Sequence, residues 1–411
     1  MSEPYRIGLL GHGTVGSAFA QLLEERAEEI ARVTGRRPEI AGILTRSRGS
    51  FDEILASSDM IVEVMGGVDP TRDYVLRALR AGKPVITANK QLLSRHGEEL
   101  YAAAREHRAP LRFEAAVGGV VPVIRVLRES LAGAHVERVH GIVNGTTNFI
   151  LTRMAETGAS YEDALAEAQR LGYAEADPTE DVTGADAAAK MAILARLAFN
   201  TPVTLDEVRF DGIAEITADD IQYARDFGLS LKLLGTAERV DGGISVRVHP
   251  AFLYAAHPLA SINGPFNAVT IESPAITEIT LSGPGAGGPQ TASAVLGDVV
   301  SAMTPPESPS AWAPAEAPHK LPVVTDVASA FYLHMEVADQ PGVLGEIAQV
   351  LGLQGVSVRS FVQKGLGANA RLVMVLHPVL ESRLQVALKL IAGLPFVRKP
   401  PRAIPVIDEE F

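Results

Sequence analysis

Over the first third of the chain, short apolar runs alternate with stretches of helical period. Tyr5–Leu10 is a largely apolar run of strand length and predicts a buried parallel strand. A glycine-rich GHGTVG follows, and an amphipathic helix is expected from about Ser17 to Arg32. Glu39–Arg46, Met60–Met65, Pro84–Thr87 and Leu111–Glu114 predict four further strands, with helical segments between them. Strand alternating with helix is the pattern of a doubly wound α/β domain with a parallel sheet.

From about Ala134 the pattern changes. His135–Val143 alternates as a strand, while Thr147–Glu156, Tyr161–Leu171 and Asp181–Ala198 carry helical period. Ile244–Pro250, Ala268–Glu272 and Ile276–Ser282 suggest an open mixed or antiparallel sheet, so this part is expected to be an α+β substrate and dimerisation domain. Gly283–Gly288 is a second glycine-rich turn, and the helix Gln290–Ala302 is expected to return to the first domain. Thr304–Pro322 holds six prolines and reads as an extended linker. Ser329–Phe411 runs strand, helix, strand, strand, helix, strand, a ferredoxin-like βαββαβ unit. The expected domains are 1–133 completed by 284–303, then 134–283, a linker at 304–328, and 329–411. On this reading the tail is an independent unit, and a chain stopped near Thr304 is expected to fold and react.

Composition narrows the function. A length of 411 residues calls for more than one core. The formal net charge of −12 argues against nucleic acid and against an anionic membrane surface as partners. There is no cysteine, which removes disulfides, thiolate catalysis and Cys-ligated metals. The apolar N-terminal run lacks a basic flank and enters a glycine loop, so it reads as a strand and not a signal peptide. From these absences a cytoplasmic location is expected.

Gly11, Gly13 and Gly16 form GxGxxG between a strand and a helix. In a Rossmann-type domain such glycines close the turn and admit a pyrophosphate to the helix N-terminus. The other reading is a tight turn that only permits helix–strand packing. An NAD site usually has an acid at the end of the second strand. Here Leu44–Arg48 carries no acid but has Arg46 and Arg48, which favours NADP(H) and leaves NAD(H) possible. Otherwise these arginines are solvated loop charges.

The segment Ala168–Lys190 (AQRLGYAEADPTEDVTGADAAAK) carries the chemistry. Asp181 is placed to cap a helix. Asp186 and Lys190 lie four apart on one helix face, and Glu175 sits in the preceding loop. On a solvated helix they would form an ordinary ion pair. The surrounding residues are small and apolar, however, as in a buried helix, and a buried lysine beside carboxylates tends to be functional.

This segment resembles the homoserine dehydrogenase signature. GHGTVG, ITANK at 86–90, EAAVGGVVPVI at 114–124 and NGTTNFIL at 144–151 agree with it. The resemblance implies reversible reduction of L-aspartate 4-semialdehyde to L-homoserine, a step toward threonine, methionine and isoleucine. It implies Lys190 as proton donor and Asp186 as the residue that binds substrate and holds Lys190 or a water. Glu175, Gly172, Gly145 and Thr146 would meet the substrate. His12, Thr14, Val15, Thr87, Lys90 and Gly285 would join Gly11, Gly13, Gly16 and Arg46 around the cofactor. It further implies a monovalent cation (Na⁺ or K⁺), with a carboxylate from Glu114 and carbonyls from Val117, Gly119 and Val121. The other reading of 114–121 is a plain glycine turn. A homodimer or homotetramer is implied as well.

Phe331–Val337 followed by ADQPGVLGEIAQVL resembles an ACT domain. That implies an amino-acid effector, threonine first, near Asp339, Gly342, Val343 and Leu344; otherwise the tail only mediates assembly. Two other functions compete with this one. An ACT-bearing Rossmann hydroxy-acid dehydrogenase would need a catalytic His with Arg and acid, and no such set stands out. A non-catalytic amino-acid sensor would not need Asp186 and Lys190.

Overall fold

The computed structural model describes residues 4–304, 319–364 and 370–407. Five parallel strands, β1 (Tyr5–Leu10), β2 (Pro38–Leu44), β3 (Met60–Glu63), β4 (Val85–Thr87) and β5 (Leu111–Arg112), form one sheet in the order β2-β1-β3-β4-β5. The helix after the glycine loop runs Thr14–Thr34 and ends on Gly35 at φ +77°. Its buried Phe19, Leu23, Ala27 and Ile30 recur every three to four residues. Phe19, Leu23 and Ile30 pack with Ile7 and Leu9 of β1. The helix Gly288–Met303 does return to this sheet, placing Ala292, Val295, Val299 and Met303 in the same cluster.

The remaining strands are β6 (Arg138–Ile142), β7 (Arg209–Phe210), β8 (Leu229–Val240), β9 (Gly243–Tyr254), β10 (Phe266–Ser273), β11 (Thr277–Pro284), β12 (Ala328–Val337), β13 (Val358–Lys364), β14 (Ala370–Leu380) and β15 (Arg402–Ile407). The pattern missed β8, because eight of its first nine positions are buried without an in–out alternation. The expected single helix 181–198 is broken. A short helix Thr179–Val182 stops, Gly184 turns at φ +88°, and a second helix runs Ala185–Phe199. Asp181 therefore does not cap this second helix; Gly184 occupies that place. A side chain at Gly184 would collide with Asp211, since a Cβ would fall 2.9 Å from the Asp211 carbonyl oxygen.

The tail has the expected order of elements, but it is not a separate unit. β15 pairs in parallel with β9 through Val406–Phe252 and Ile407–Leu253, so β11-β10-β6-β8-β9-β15-β12-β14-β13 is one sheet, and β7 pairs with β9. Ala330, Tyr332, Val373, Val375, Ile404 and Val406 share a core with Ile244, Val246, Val248 and Phe252. The linker expectation also needs correcting at its end. Residues 305–318 lie outside the described residues, but beyond them the chain is pinned to the substrate sheet. Ile244 donates to Pro322 O at 2.9 Å, and Val324 donates to Ile244 O at 2.7 Å.

Asp220 locks the same junction. It is 0% exposed, accepts from the Thr217 hydroxyl at 2.7 Å, faces His334 Nδ1 at 3.2 Å, and pairs with Arg402. Burial works against its charge, but His334, Thr217 and Arg402 outweigh it and hold the carboxyl down at about 2. A depressed carboxylate contributes stability that is complete above its unfolded value, near 4, and is lost as pH falls toward 2. We therefore expect the melting temperature to drop over that window, and Asp220→Asn to remove this part of the acid sensitivity while lowering stability at pH 7 by ~2 kcal/mol. Identical melting curves for parent and variant from pH 5 to pH 2 would exclude the role.

Candidate active site

The glycine loop has the shape a dinucleotide needs. Gly11 sits at φ +100°, and a Cβ on Gly16 would fall 2.2 Å from Gly11 O, so both positions require glycine. Gly13 has nothing within 4 Å of its would-be Cβ and offers open backbone. It N-caps a 21-residue helix with no side-chain cap, leaving that helix end to a ligand. His12 and Thr14 are exposed and Val15 is half-buried beside them. Arg46 and Arg48 are exposed in the turn after β2, where Thr45 donates to Arg48 O. From the second glycine turn, Gly288 lies against Thr14.

The helix Ala185–Phe199 buries Asp186 at 4% exposure in its first turn. Lys190 Nζ lies 2.7 Å from Asp186 Oδ2 and donates to Val143 O at 2.7 Å. Lys90 Nζ reaches the other oxygen, Asp186 Oδ1, at 2.6 Å. Burial opposes the Asp186 charge, but the two ammonium groups outweigh it, and the carboxyl is held below the ordinary carboxylate range. Burial likewise opposes the Lys90 charge, and Asp186 more than offsets it, raising Lys90. Lys90, which the resemblance puts at the cofactor, is the first residue of the helix Lys90–Glu106 and from there reaches Asp186.

Asn144 completes this cluster. Its Nδ2 donates to Asp186 Oδ2 at 2.8 Å and to Asp181 Oδ1 at 2.6 Å, while its Oδ1 caps the helix Gly145–Thr157 through Thr147 N. Sequence reasoning passed over Asn144 as a site residue, although an Asn before a helical stretch is a recognisable cap. Gly145 starts that helix, and Thr146 holds the following loop by donating to Tyr173 O at 2.7 Å. Asn267 was missed as well. It is 1% exposed, its amide has no hydrogen-bond partner among the described residues, and it lies against Gly145 and Gly285.

Three expected residues sit differently. Glu175 is exposed on the loop after Gly172 (φ +79°) and makes no ion pair among the described residues, so the carboxylate next to Asp186 is Asp181. Thr87 is fully buried and donates to Glu63 Oε2 at 2.5 Å. Burial pushes Glu63 above the ordinary carboxylate value against four hydrogen bonds. Glu114 does not aim its carboxylate into the 117–121 loop. Oε1 accepts from Ile124 N at 2.8 Å and Oε2 from Arg125 N at 2.9 Å. Burial and neighbouring Asp298 push it up to about 7. The Val117 and Gly119 carbonyls accept no hydrogen bond among the described residues, whereas Val121 O is taken by Val123 N at 2.8 Å. Gly119 abuts Gly285, whose carbonyl would lie 2.6 Å from a Cβ at Gly119.

In the tail, Gly342 (φ +94°) starts the helix Val343–Leu353. Asp339 Oδ1 accepts from Gln363 at 3.0 Å, Val343 is buried, and Leu344 is exposed.

Known proteins resemble this chain along nearly all of its length. Residues 122–300 match the homoserine dehydrogenase family model, 11–114 the NAD-binding domain of homoserine dehydrogenase, and 331–396 the ACT domain. The homoserine dehydrogenase of Corynebacterium glutamicum is 45% identical over 95% of this chain and 93% of its own. The chain belongs to the homoserine dehydrogenase family. Homoserine dehydrogenase from Thiobacillus denitrificans superposes with a TM-score of 0.93 at 36% identity, covering 99% of both chains. A hyperthermophilic archaeal homoserine dehydrogenase solved in complex with NADPH has a TM-score of 0.64 at 29% identity, over 73% of this chain and 98% of that one. This homoserine dehydrogenase is thus an oxidoreductase with a nicotinamide-dinucleotide-binding domain and a C-terminal ACT domain.

Proposed function

We propose that this enzyme reduces L-aspartate 4-semialdehyde to L-homoserine reversibly with NADP(H), and that Lys190 is the proton donor. The observation that carries the reading is Asp186, a buried carboxylate holding Lys190 at 2.7 Å and Lys90 at 2.6 Å. When bound, the cofactor supplies or accepts the hydride. Negative charge then develops on the substrate oxygen, where an ammonium both stabilises it and delivers a proton. An ammonium has three N–H donors. Lys190 spends two on Val143 O and Asp186, which leaves the third for the substrate oxygen. Lys190 gives up its proton there and is recharged from solvent. Asp186 holds the lysine, Asn144 holds Asp186, and Lys90 balances the second oxygen of Asp186.

The glycine loop and the uncapped helix end fit a pyrophosphate, and exposed Arg46 fits a 2′-phosphate. The archaeal NADPH complex supports the same choice. The test is a spectrophotometric assay with aspartate semialdehyde. NADPH is expected to outperform NADH, and Arg46→Asp to narrow that preference by ~10-fold or more, since a guanidinium–phosphate contact is charge-assisted. Absence of semialdehyde-dependent oxidation of either cofactor would sink the substrate reading. An unchanged preference in the variant would leave Arg46 as a loop charge.

A monovalent cation would be held by the carbonyls of Val117 and Gly119, without the Glu114 carboxylate. Oxygen-only ligands suit such a hard ion. The ACT tail would carry feedback by an amino acid, with threonine tested first.

A further inference from the structure

A cavity of about 740 Å³ opens where the tail sheet leaves the substrate sheet. The ladder between β9 and β15 consists of two residue pairs, Phe252–Val406 and Leu253–Ile407. Next to them Ser245–Pro250 and Arg402–Pro405 diverge and line the cavity. Its size falls within the ~300–1,000 Å³ of small-molecule sites.

The walls carry both signs of charge. Arg209 of β7 and Glu381 of the tail helix Glu381–Ala392 pair across the junction at 2.9 and 3.1 Å. Glu215, an exposed second acid, also lines the cavity. Val248 and Phe331 supply apolar wall, and the Ser329 hydroxyl a polar contact. We propose that this cavity binds a small free α-amino acid and passes its occupancy to the catalytic helix, an inference that rests on reading the tail as regulatory.

An amino acid carries the same two charges as the internal ion pair. Its carboxylate suits Arg209, and its ammonium suits Glu381 or Glu215. The Arg209–Glu381 pair has side chains 55% and 27% exposed, and such a pair is weak enough to exchange partners with a ligand. The route from the cavity to the chemistry is short and stiff. A Cβ on Gly212 would fall 2.2 Å from Val182 O, and Ile213 donates to Val182 O at 2.9 Å. The Arg209–Ile213 segment therefore lies backbone to backbone on Val182–Gly184. Gly184 caps the helix that carries Asp186 and Lys190 in its first turns. Any shift of the segment moves that cap, because no side chain cushions the contact. The Asp339–Gly342 loop is not part of this cavity.

The experiment titrates semialdehyde reduction by the full chain with L-threonine, L-isoleucine, L-methionine and L-lysine. The parent is compared with Arg209→Ala, with Ser329→Leu, which fills the cavity, and with Asp339→Ala. An amino acid that inhibits the parent is expected to lose ~10-fold or more in potency in the first two variants and to keep its potency in Asp339→Ala. If Ser329→Leu melts early, Arg209→Ala alone decides. Parent-like potency in Arg209→Ala overturns the cavity site but leaves regulation by the tail standing. If none of the four amino acids changes the activity or melting temperature of the parent, the cavity site and the regulatory reading both fall.

Discussion

Lys190→Met is expected to cut turnover by ~10²–10⁴ while leaving NADPH affinity within a factor of about three. Methionine keeps the length of the side chain and removes the ammonium. On the proposed mechanism the variant loses the proton donor and the charge facing the substrate oxygen. Removing one partner of a buried ion pair often destabilises a fold, because the other charge is left alone. Here Asp186 keeps Lys90 at 2.6 Å and the Asn144 amide at 2.8 Å, so folding is expected to survive. The loss should therefore appear in kcat and kcat/KM, with cofactor binding followed by NADPH fluorescence. The proposed cofactor contacts lie on the glycine loop of the other sheet, which the substitution does not touch. Turnover near that of the parent would take Lys190 out of the mechanism and leave Lys90 as the ammonium at this carboxylate.

Ending the chain at Thr304 is expected to give a protein that aggregates or melts more than ~10 °C lower, with turnover lost in proportion. Sequence pattern alone points the other way, since every motif assigned to the chemistry lies before that point. The junction explains the change. Truncation removes β15 from the edge of β9, and Tyr332 from the Phe252 ring, which it meets at a centroid distance of 4.8 Å. It uncovers Ile244, Val246 and Val248. At ~1.5–3 kcal/mol for each large apolar side chain returned to water, the loss rivals the ~5–15 kcal/mol that holds a domain together. Asp220 would also lose His334 and Arg402. Thermal melting and size-exclusion chromatography of the shortened chain settle the matter. A monodisperse product with parent-like melting and turnover would show that the tail is dispensable to the fold.

Much of this protein is legible from local pattern. The parallel sheet shows in its apolar runs, because strands buried on both faces need no polar positions. The glycine loop is legible because Gly11 and Gly16 stand where no Cβ fits. Asp186 and Lys190 are legible because four residues make one helical turn. What the tertiary structure decided involves partners far apart along the chain. Lys90 reaches Asp186 only once the two sheets are docked. Asn144 meets Asp181 and Asp186 because the break at Gly184 turns the segment back toward it. Glu114 looked like a ligand by type, but the start of the following helix claims both its oxygens, since buried N–H groups must find acceptors. The tail looked independent because its own periodicity is complete, and periodicity is silent about edges. The parallel pairing of β15 with β9 depends on an edge left open between them, and an open strand edge tends to be paired or covered.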